Sequence, residues 1–548
     1  MENITLYYTL AALLLAAVVL RSTRRPAPPP PYQDATLNDV TRKERTVSAE
    51  SIRLIRALKA KLPEVVLSTA HEDFPAAAAN LYWSQQECEA VPSCVVRPRN
   101  AEELSSAVQV LKSEYDIRQR DQDFRAAGVF AIRSGGHGGP SGASSLRDGV
   151  VIDMSRISDV RLSADKKTAT IGSGARWGEV YEALAADGVC VVGGRNPHVG
   201  VGGLTLGGGL SFYSPHFGMV CNNIDSYEVV LASGKIVQAS ATENADLWRA
   251  LKGGSNNFGI VTRLTARTFP AVRLWGGYMY MPYFEHKRVM AAFHETLKKG
   301  EEGGSGTIYD PNAGALLCCF TYYHPLRLKL LPTNLMYTGD VEQLGNKWPD
   351  ALAQSPWSRL WRFWSTCSTR TLRSATGELD AMSPSGLRQG TATTTILNDP
   401  ATLAATHAAW HEAISGIKAR NVKGASWTLV LQPMLPLWAR KGDPNPLGLD
   451  KGTSAPLVNV SLSVNWGRKQ DDEYMQAAIR RAIEAIEVFA AEHSTGHPYK
   501  YLNYAASWQK IFEGYSEENH GLLKDVSRRY DPDGLFQRGC TGGFKLGM

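Results

Sequence analysis

The sequence predicts an α+β fold. Three observations carry that prediction. Residues 95–270 interleave β-rich runs with Gly-rich turns. Residues 275–497 hold more Trp, Pro and Leu and fewer Gly clusters, a texture that fits a sheet covered by helices. From Tyr499 onward the chain is again rich in Tyr, Asn and Gly. The 548 residues, 43% hydrophobic and 20% charged, suffice for a sizeable core and more than one domain. Ordinary hydrophobicity and small net charge exclude global disorder. The 59 basic and 53 acidic residues leave +6, too small and dispersed an excess to argue for nucleic acid.

The N-terminal run ITLYYTLAALLLAAVVL (4–20) is 17 residues without a charge. As a helix it reaches roughly 26 Å, just short of a ~30 Å hydrocarbon core. Arg21, Arg24 and Arg25 follow it and only Glu2 precedes it. A secretory signal has its positive charges first and a small-residue cleavage site after. The pattern therefore favours an uncleaved single-pass membrane anchor, the endoplasmic reticulum being the expected membrane and secretion the outcome if the segment is a cleaved signal. The flanking arginines place the body in the cytosol. PAPPPPY (26–32) is a stiff polyproline spacer. Sequons stand at Asn3 and Asn459, and glycan on the second would indicate a lumenal body.

Along the body, Asn100 with Glu103 marks a helix start, with Leu104, Val108 and Leu111 on one face. VFAIRS (129–134), GVVIDMS (149–155) and TATIGSG (168–174) read as strands, and 177–186 as a helix. SYEVVLASGKIVQAS (226–240) reads as a hairpin turning at Ser233-Gly234. LVNVSLSVNW (457–466) alternates like a half-buried strand. Met475, Ile479, Ile483, Ile486 and Phe489 mark an amphipathic helix. Eight cysteines are too few for a disulfide scaffold, and no CxxC occurs, so no metal site is expected. Cys88 and Cys94 are close enough to bridge in an oxidising compartment; two free thiols are the equal alternative.

Three Gly-rich segments carry the chemistry: RSGGHGGPSG (133–142), HVGVGGLTLGGG (198–209) and KGGSNNFGIVT (252–262). Glycine admits positive φ and lets backbone N–H groups approach an anion. No strand–GxGxxG–helix unit and no GxxxxGK[ST] is present, which disfavours a common dinucleotide fold and a P-loop. No HExxH occurs. The pattern leaves a phosphate-bearing cofactor and tight turns in a β-rich domain as alternatives.

The run AIRSGGHGGPSG…DGVVIDMS resembles FAD-linked oxidases of the p-cresol methylhydroxylase/vanillyl-alcohol oxidase fold, and most nearly their berberine-bridge-enzyme-like branch in fungal secondary metabolism. YWSQQECEAVPSCVVRP (82–98), GVGGLTLGGG (200–209), LWRALKGGSNNFGIVT (247–262), YLNYA (501–505) and RRYDPDGLF (528–536) resemble further ordered motifs of that family. The resemblance implies a two-lobed FAD-binding domain with an inserted sheet-plus-helices substrate domain. The chain then divides into an anchor and linker (1–32), a lead-in (33–90), the FAD-binding domain (91–272), the substrate domain (273–498) and a C-terminal segment returning to the flavin (499–548).

By the same resemblance, His137 is bonded to the flavin, and Arg133, Ser134, Gly135, Gly136 and Gly138 hold the pyrophosphate. Val199, Gly200, Gly202, Gly203, Gly207 and Gly208 form a second FAD loop. Asn256, Gly259 and Ile260 belong to a third, and Asn503 lines the flavin edge. Tyr501 and Tyr504 are the candidate catalytic residues, both facing the ring if their segment is helical. Departures exist. Asn196 stands where bicovalent members carry a second flavin-linking Cys, and Leu204 where a His often follows. Val199 matches the small residue of members that use oxygen. The expected reaction passes a hydride from a small organic substrate to the flavin, which O2 reoxidises with release of H2O2. A dehydrogenase using another acceptor and a redox-silent FAD protein guiding a cyclisation are the alternatives. Lys252 and Arg263 read as solvated surface charges, and His198 and His216 as structural.

Overall fold

The structure is a computed structural model that describes residues 48–79, 82–120, 128–298, 310–313 and 315–547. The anchor and the polyproline spacer lie outside these residues, as does Asn3. Among the described residues no helix is long and apolar enough to cross a membrane.

Three sheets organise the chain. The first has the order Val66–Ser68, Cys94–Val96, Val150–Asp153, Phe130–Arg133 and Cys540–Thr541. Its pairings are parallel apart from the first, antiparallel one. Helices Ala49–Lys61 and Ala101–Arg120 cover it with Leu54, Leu58, Leu104, Val108 and Leu111. The Asn100 side chain caps the second helix, accepting the Glu103 N–H at 2.9 Å. The segment read as a lead-in thus supplies an edge strand and a covering helix, and the C-terminal tail supplies the opposite edge.

The second sheet is antiparallel, in the order Val160–Leu162, Thr168–Gly172, Ile260–Pro270, Ile224–Val230 and Ile236–Ser240. Val189–Val191 pairs with the far end of Ile260–Pro270. The expected hairpin turns through Gly234, whose φ of 83° only glycine adopts cheaply.

The third sheet runs from Leu274 to His497, with nine antiparallel strands. Helices His286–Lys298, Pro400–Arg420 and Asp472–Glu492 cover one face, and Met475, Ile479, Ile483 and Ile486 are buried there against Leu431, Val460 and Ile396. The opposite face is polar. Its registered row Gln432, Asn459, Thr395 lies beside a second row, Val430, Ser461, Thr393. Strand Leu457–Trp466 is accordingly buried on both faces over its first six residues, not half-buried. Gly139 and Gln509 close the polar side: a Cβ on Gly139 would lie 3.7 Å from Thr391 Oγ1, and Gln509 bonds the backbone of Thr393. Alternation fails where both faces are covered.

One further expectation changes, and one open alternative is decided. Asn459 is fully buried and donates to Thr393 Oγ1 at 2.6 Å, so its sequon is closed to glycan in the folded chain and says nothing about membrane side. Cys88 and Cys94 are buried and unpaired, and burial pushes both thiols up to about 12.

Candidate functional site

The first two glycine loops meet backbone to backbone. A Cβ on Gly135 would lie 2.3 Å from the Gly200 nitrogen, and one on Gly200 would lie 2.3 Å from the Gly135 nitrogen. No residue with a side chain fits at either place. Ser134 Oγ donates to the Ser173 carbonyl at 2.6 Å, and the Gly202 N–H donates to the same oxygen at 3.1 Å. Both loops are thereby pinned to the turn after Thr168–Gly172.

The stretch beyond Gly135 is different. Backbone N–H groups from Gly135 to Gly139 donate to no described residue. Gly136 has φ 64° and its carbonyl accepts from the Trp83 N–H at 2.8 Å. His137 stacks on Trp83 with ring centroids 4.8 Å apart and 13° between planes. Its nitrogens make no hydrogen bond to a described residue. The imidazole is half-buried, yet desolvation, then the charges of Arg176 and His198, lower its pKa to about 3. That surround disfavours the charged form, so the imidazole is neutral, with one face open to the cleft between this loop and its neighbours.

Around it stands a polar cluster. Arg176 donates to the His198 carbonyl. His198 Nε2 lies 3.4 Å from Asp380 Oδ2, and Asn196 donates to Asp380 Oδ1 at 3.1 Å. Burial raises the Asp380 pKa, with His198 opposing. Asp380 comes from helix Leu372–Ala381 of the inserted region, so the cleft has walls from both parts of the chain.

The C-terminal segment closes the cleft through one 3-10 turn, Leu502–Tyr504, rather than an α-helix. Asn503 donates to the Leu204 carbonyl at 3.0 Å, and a Cβ on Gly207 would lie 2.2 Å from its Oδ1. The Tyr501 and Tyr504 rings meet edge-on at 4.8 Å and 85°, and they differ in burial and in hydrogen bonding. Tyr501 is fully buried, its oxygen accepting from Leu210 N–H at 2.9 Å and Asn503 at 3.1 Å, and burial raises its pKa. Tyr504 is half-buried, and its oxygen accepts from Arg195 at 2.8 Å. Tyr504 thus keeps an exposed edge, whereas Tyr501 ties the turn to the second loop.

Other predicted residues stand apart. The Arg133 guanidinium is bound to Asp153 at 2.9 Å and the Ala77 carbonyl at 2.7 Å, under the Tyr82 ring, so only its backbone is available. The third loop is taken up by packing. A Cβ on Gly259 would lie 2.6 Å from Val229 Cγ1, Ile260 is core, and Asn256 ties to Gly542 and Lys545 of the tail. Lys252 is no surface charge: it is fully buried, paired with Asp443 at 2.9 Å, over the Trp248 ring. Arg263 pairs with Asp159 and Glu228, and His216 with Asn312. A Cβ on Gly203 would meet nothing within 4 Å; those on Gly138 and Gly208 would meet Ala143 at 2.7 Å and Leu447 at 3.4 Å. Val199 is half-buried at the loop junction. Sequence reasoning missed Trp83, Arg195 and Asp380. Trp83 sits within a quoted motif; the other two carry no local signal. Among the described residues no group of His, Cys, Asp and Glu is arranged to hold a metal.

These residues fit a cofactor with anionic phosphates and an aromatic ring: five open N–H groups follow a strand, and a neutral imidazole with open nitrogens faces a cleft.

Comparison with known proteins agrees. Residues 92–240 match the FAD binding domain family. The chain is 33% identical over 459 residues to the FAD-dependent monooxygenase drtC of Aspergillus calidoustus, covering 83% of each chain. It is 35% identical over 472 residues to the FAD-dependent monooxygenase sdcF of Emericella nidulans, covering 83% of this chain and 90% of that one. Among solved structures, the Acremonium strictum glucooligosaccharide oxidase, described with a 6-S-cysteinyl, 8α-N1-histidyl FAD, is 19% identical with a TM-score of 0.65, over 89% of this chain and 98% of that one. The 6-hydroxy-D-nicotine oxidase of Arthrobacter nicotinovorans gives 0.66 at 20% identity, over 86% and 96%. The chain is an oxidoreductase with the fold of the FAD-linked p-cresol methylhydroxylase/vanillyl-alcohol oxidase enzymes and belongs to the fungal FAD-dependent monooxygenases.

Proposed function

We propose that the protein is an FAD-dependent oxidase of a small secondary metabolite. Bound FAD supplies the acceptor for a substrate hydride and returns the electron pair to O2 as H2O2. His137 holds the cofactor covalently, and the open N–H groups from Gly135 to Gly139 take its phosphates. The single observation that carries this reading is His137, stacked on Trp83 with no hydrogen bond to a described residue, among the five open N–H groups of its loop. The histidyl linkage in the name of the glucooligosaccharide oxidase supports it. Asn196, in place of a Cys, leaves that linkage single. Tyr504 relays the substrate proton, its oxygen taking that proton as its own hydroxyl proton passes to solvent, with the oxygen set by Arg195 and the ring by Tyr501. Trp83 fixes the imidazole plane and Asn503 fixes the second loop.

The test is reoxidation. Purified protein is expected to show flavin absorbance and, once reduced with dithionite, to reoxidise rapidly in aerated buffer with one H2O2 per flavin. Flavin that stays reduced for minutes in air would indicate a dehydrogenase instead. Residues 4–20 anchor the protein to a membrane in this reading, supported by their uninterrupted apolar run and the arginines behind it. Carbonate-washed membranes should retain the full chain; its release contradicts the anchor.

A further inference from the structure

Four lysines and arginines are almost wholly buried among the described residues: Arg133, Arg195, Lys252 and Arg388. Three have carboxylate partners, Arg133 with Asp153, Lys252 with Asp443, and Arg388 with Glu89 and Asp472. Arg195 has none among the described residues. It is 8% exposed, and its one hydrogen bond to a described residue runs from Nη2 to Tyr504 Oη. The nearby acids are engaged elsewhere: Asp380 with Asn196 and His198, Glu378 with Arg370 and Thr366. An unpaired buried cation is costly, and the other three sites show how this fold avoids that cost.

Its position is set by the chain. After strand Val189–Val191, Gly193 and Gly194 pass flat over the Trp177 ring, where Cβ atoms would lie 2.3 and 2.5 Å from ring carbons. That crossing delivers Arg195 between the second loop and the third sheet's polar face. Its charge acts on Tyr278 and Cys319 of that face as well as on Tyr501. On the same face the Gln432 amide has both polar atoms buried without a partner.

We propose that Arg195 is the anion anchor of the substrate site, and that the substrate presents a planar oxyanion, a carboxylate or the enolate of a 1,3-dicarbonyl, to Arg195 beside Tyr504. The guanidinium presents a rigid fork of donors, of which Tyr504 uses one, and a planar oxyanion matches the rest. Held there, the substrate has its acidic group fixed at one end of the cleft and its oxidisable carbon directed along it. This inference rests on the reading of the cleft as the oxidase site.

The test titrates the holoenzyme with benzoate, with cyclohexane-1,3-dione, ionised at neutral pH, and with the neutral isostere benzamide. Binding is followed by calorimetry and by the flavin spectrum. Benzoate or the dione should bind about tenfold or more tightly than benzamide. Arg195→Met should abolish that preference, and Arg195→Lys should restore part of it. Preference for benzoate identifies a carboxylate and preference for the dione an enolate. Equal binding of all three, or an anion preference that survives Arg195→Met, overturns the proposal. Protein without flavin absorbance would instead overturn the oxidase reading, while calorimetry still reads the anion preference.

Discussion

The first and third glycine loops look alike in sequence and differ in what they touch. In the first, the chain narrows at Gly135 to meet Gly200, and five N–H groups and the imidazole nitrogens stacked beside Trp83 make no hydrogen bond to a described residue. In the third, Gly254 and Gly259 press against Phe258, Val229 and the backbone, Lys252 is paired with Asp443, and Asn257 bonds Gly254 and Phe544. A glycine cluster announces close approach; what is approached is decided by the rest of the fold. The contrast predicts that lesions in the third loop lower stability, whereas lesions in the first two lower flavin retention.

The largest expected effect is on stability. Lys252→Ala leaves Asp443 with Arg267 alone and should cost about 3 kcal/mol in denaturant unfolding. The folded fraction should keep its full flavin complement; selective loss of flavin would erase the distinction between the loops. Next come the crowded glycines. Gly200→Ala and Gly259→Ala each force a contact under 3 Å and should each cost about 1–3 kcal/mol. Only Gly200→Ala should also lower flavin per folded protein, measured by absorbance ratio.

A smaller effect concerns pH. Glu87 holds the far end of the first loop, accepting from Ser144 N–H at 2.7 Å and Ala143 N–H at 3.1 Å, and burial raises its pKa to about 7. A raised carboxyl pKa means the folded state binds the proton more tightly than the unfolded chain. Stability from this group is therefore full below about pH 4.5 and declines as pH rises toward 7. Unfolding of wild type against Glu87→Gln across that window should show the decline in wild type only; parallel curves would contradict it. Smallest of all, Gly203→Ala meets nothing within 4 Å and should shift stability by no more than about 0.5 kcal/mol.

Much of this was legible in the sequence. Asn100 caps the helix that its spacing with Glu103 suggests, the hairpin turns at Gly234, and the Met475–Ile486 stripe is the buried face of its helix. These are local signals, set by neighbours within a turn or two. Tertiary facts were not legible. Lys252 reads as surface charge because its partner is 191 residues away. The Asn459 sequon reads as accessible because alternation cannot show that both sheet faces are covered. Asp380 and Arg195 have no motif, and each is defined by a partner more than 180 residues off in sequence. Tyr501 and Tyr504 read alike in sequence, yet Tyr501 is buried with its oxygen held by Leu210 N–H and Asn503 while Tyr504 keeps an exposed edge, a difference set by residues far off in the chain.

The central claim is that His137 is the tether within an open-handed glycine loop, and trypsin isolates it. Cleavage after Arg133 and Arg147 yields a peptide, residues 134–147, that contains one histidine and no other nucleophilic ring. Peptide mass spectrometry of the native protein should find that peptide heavier by one FAD. An unmodified 134–147 peptide from protein that carries flavin would contradict the account.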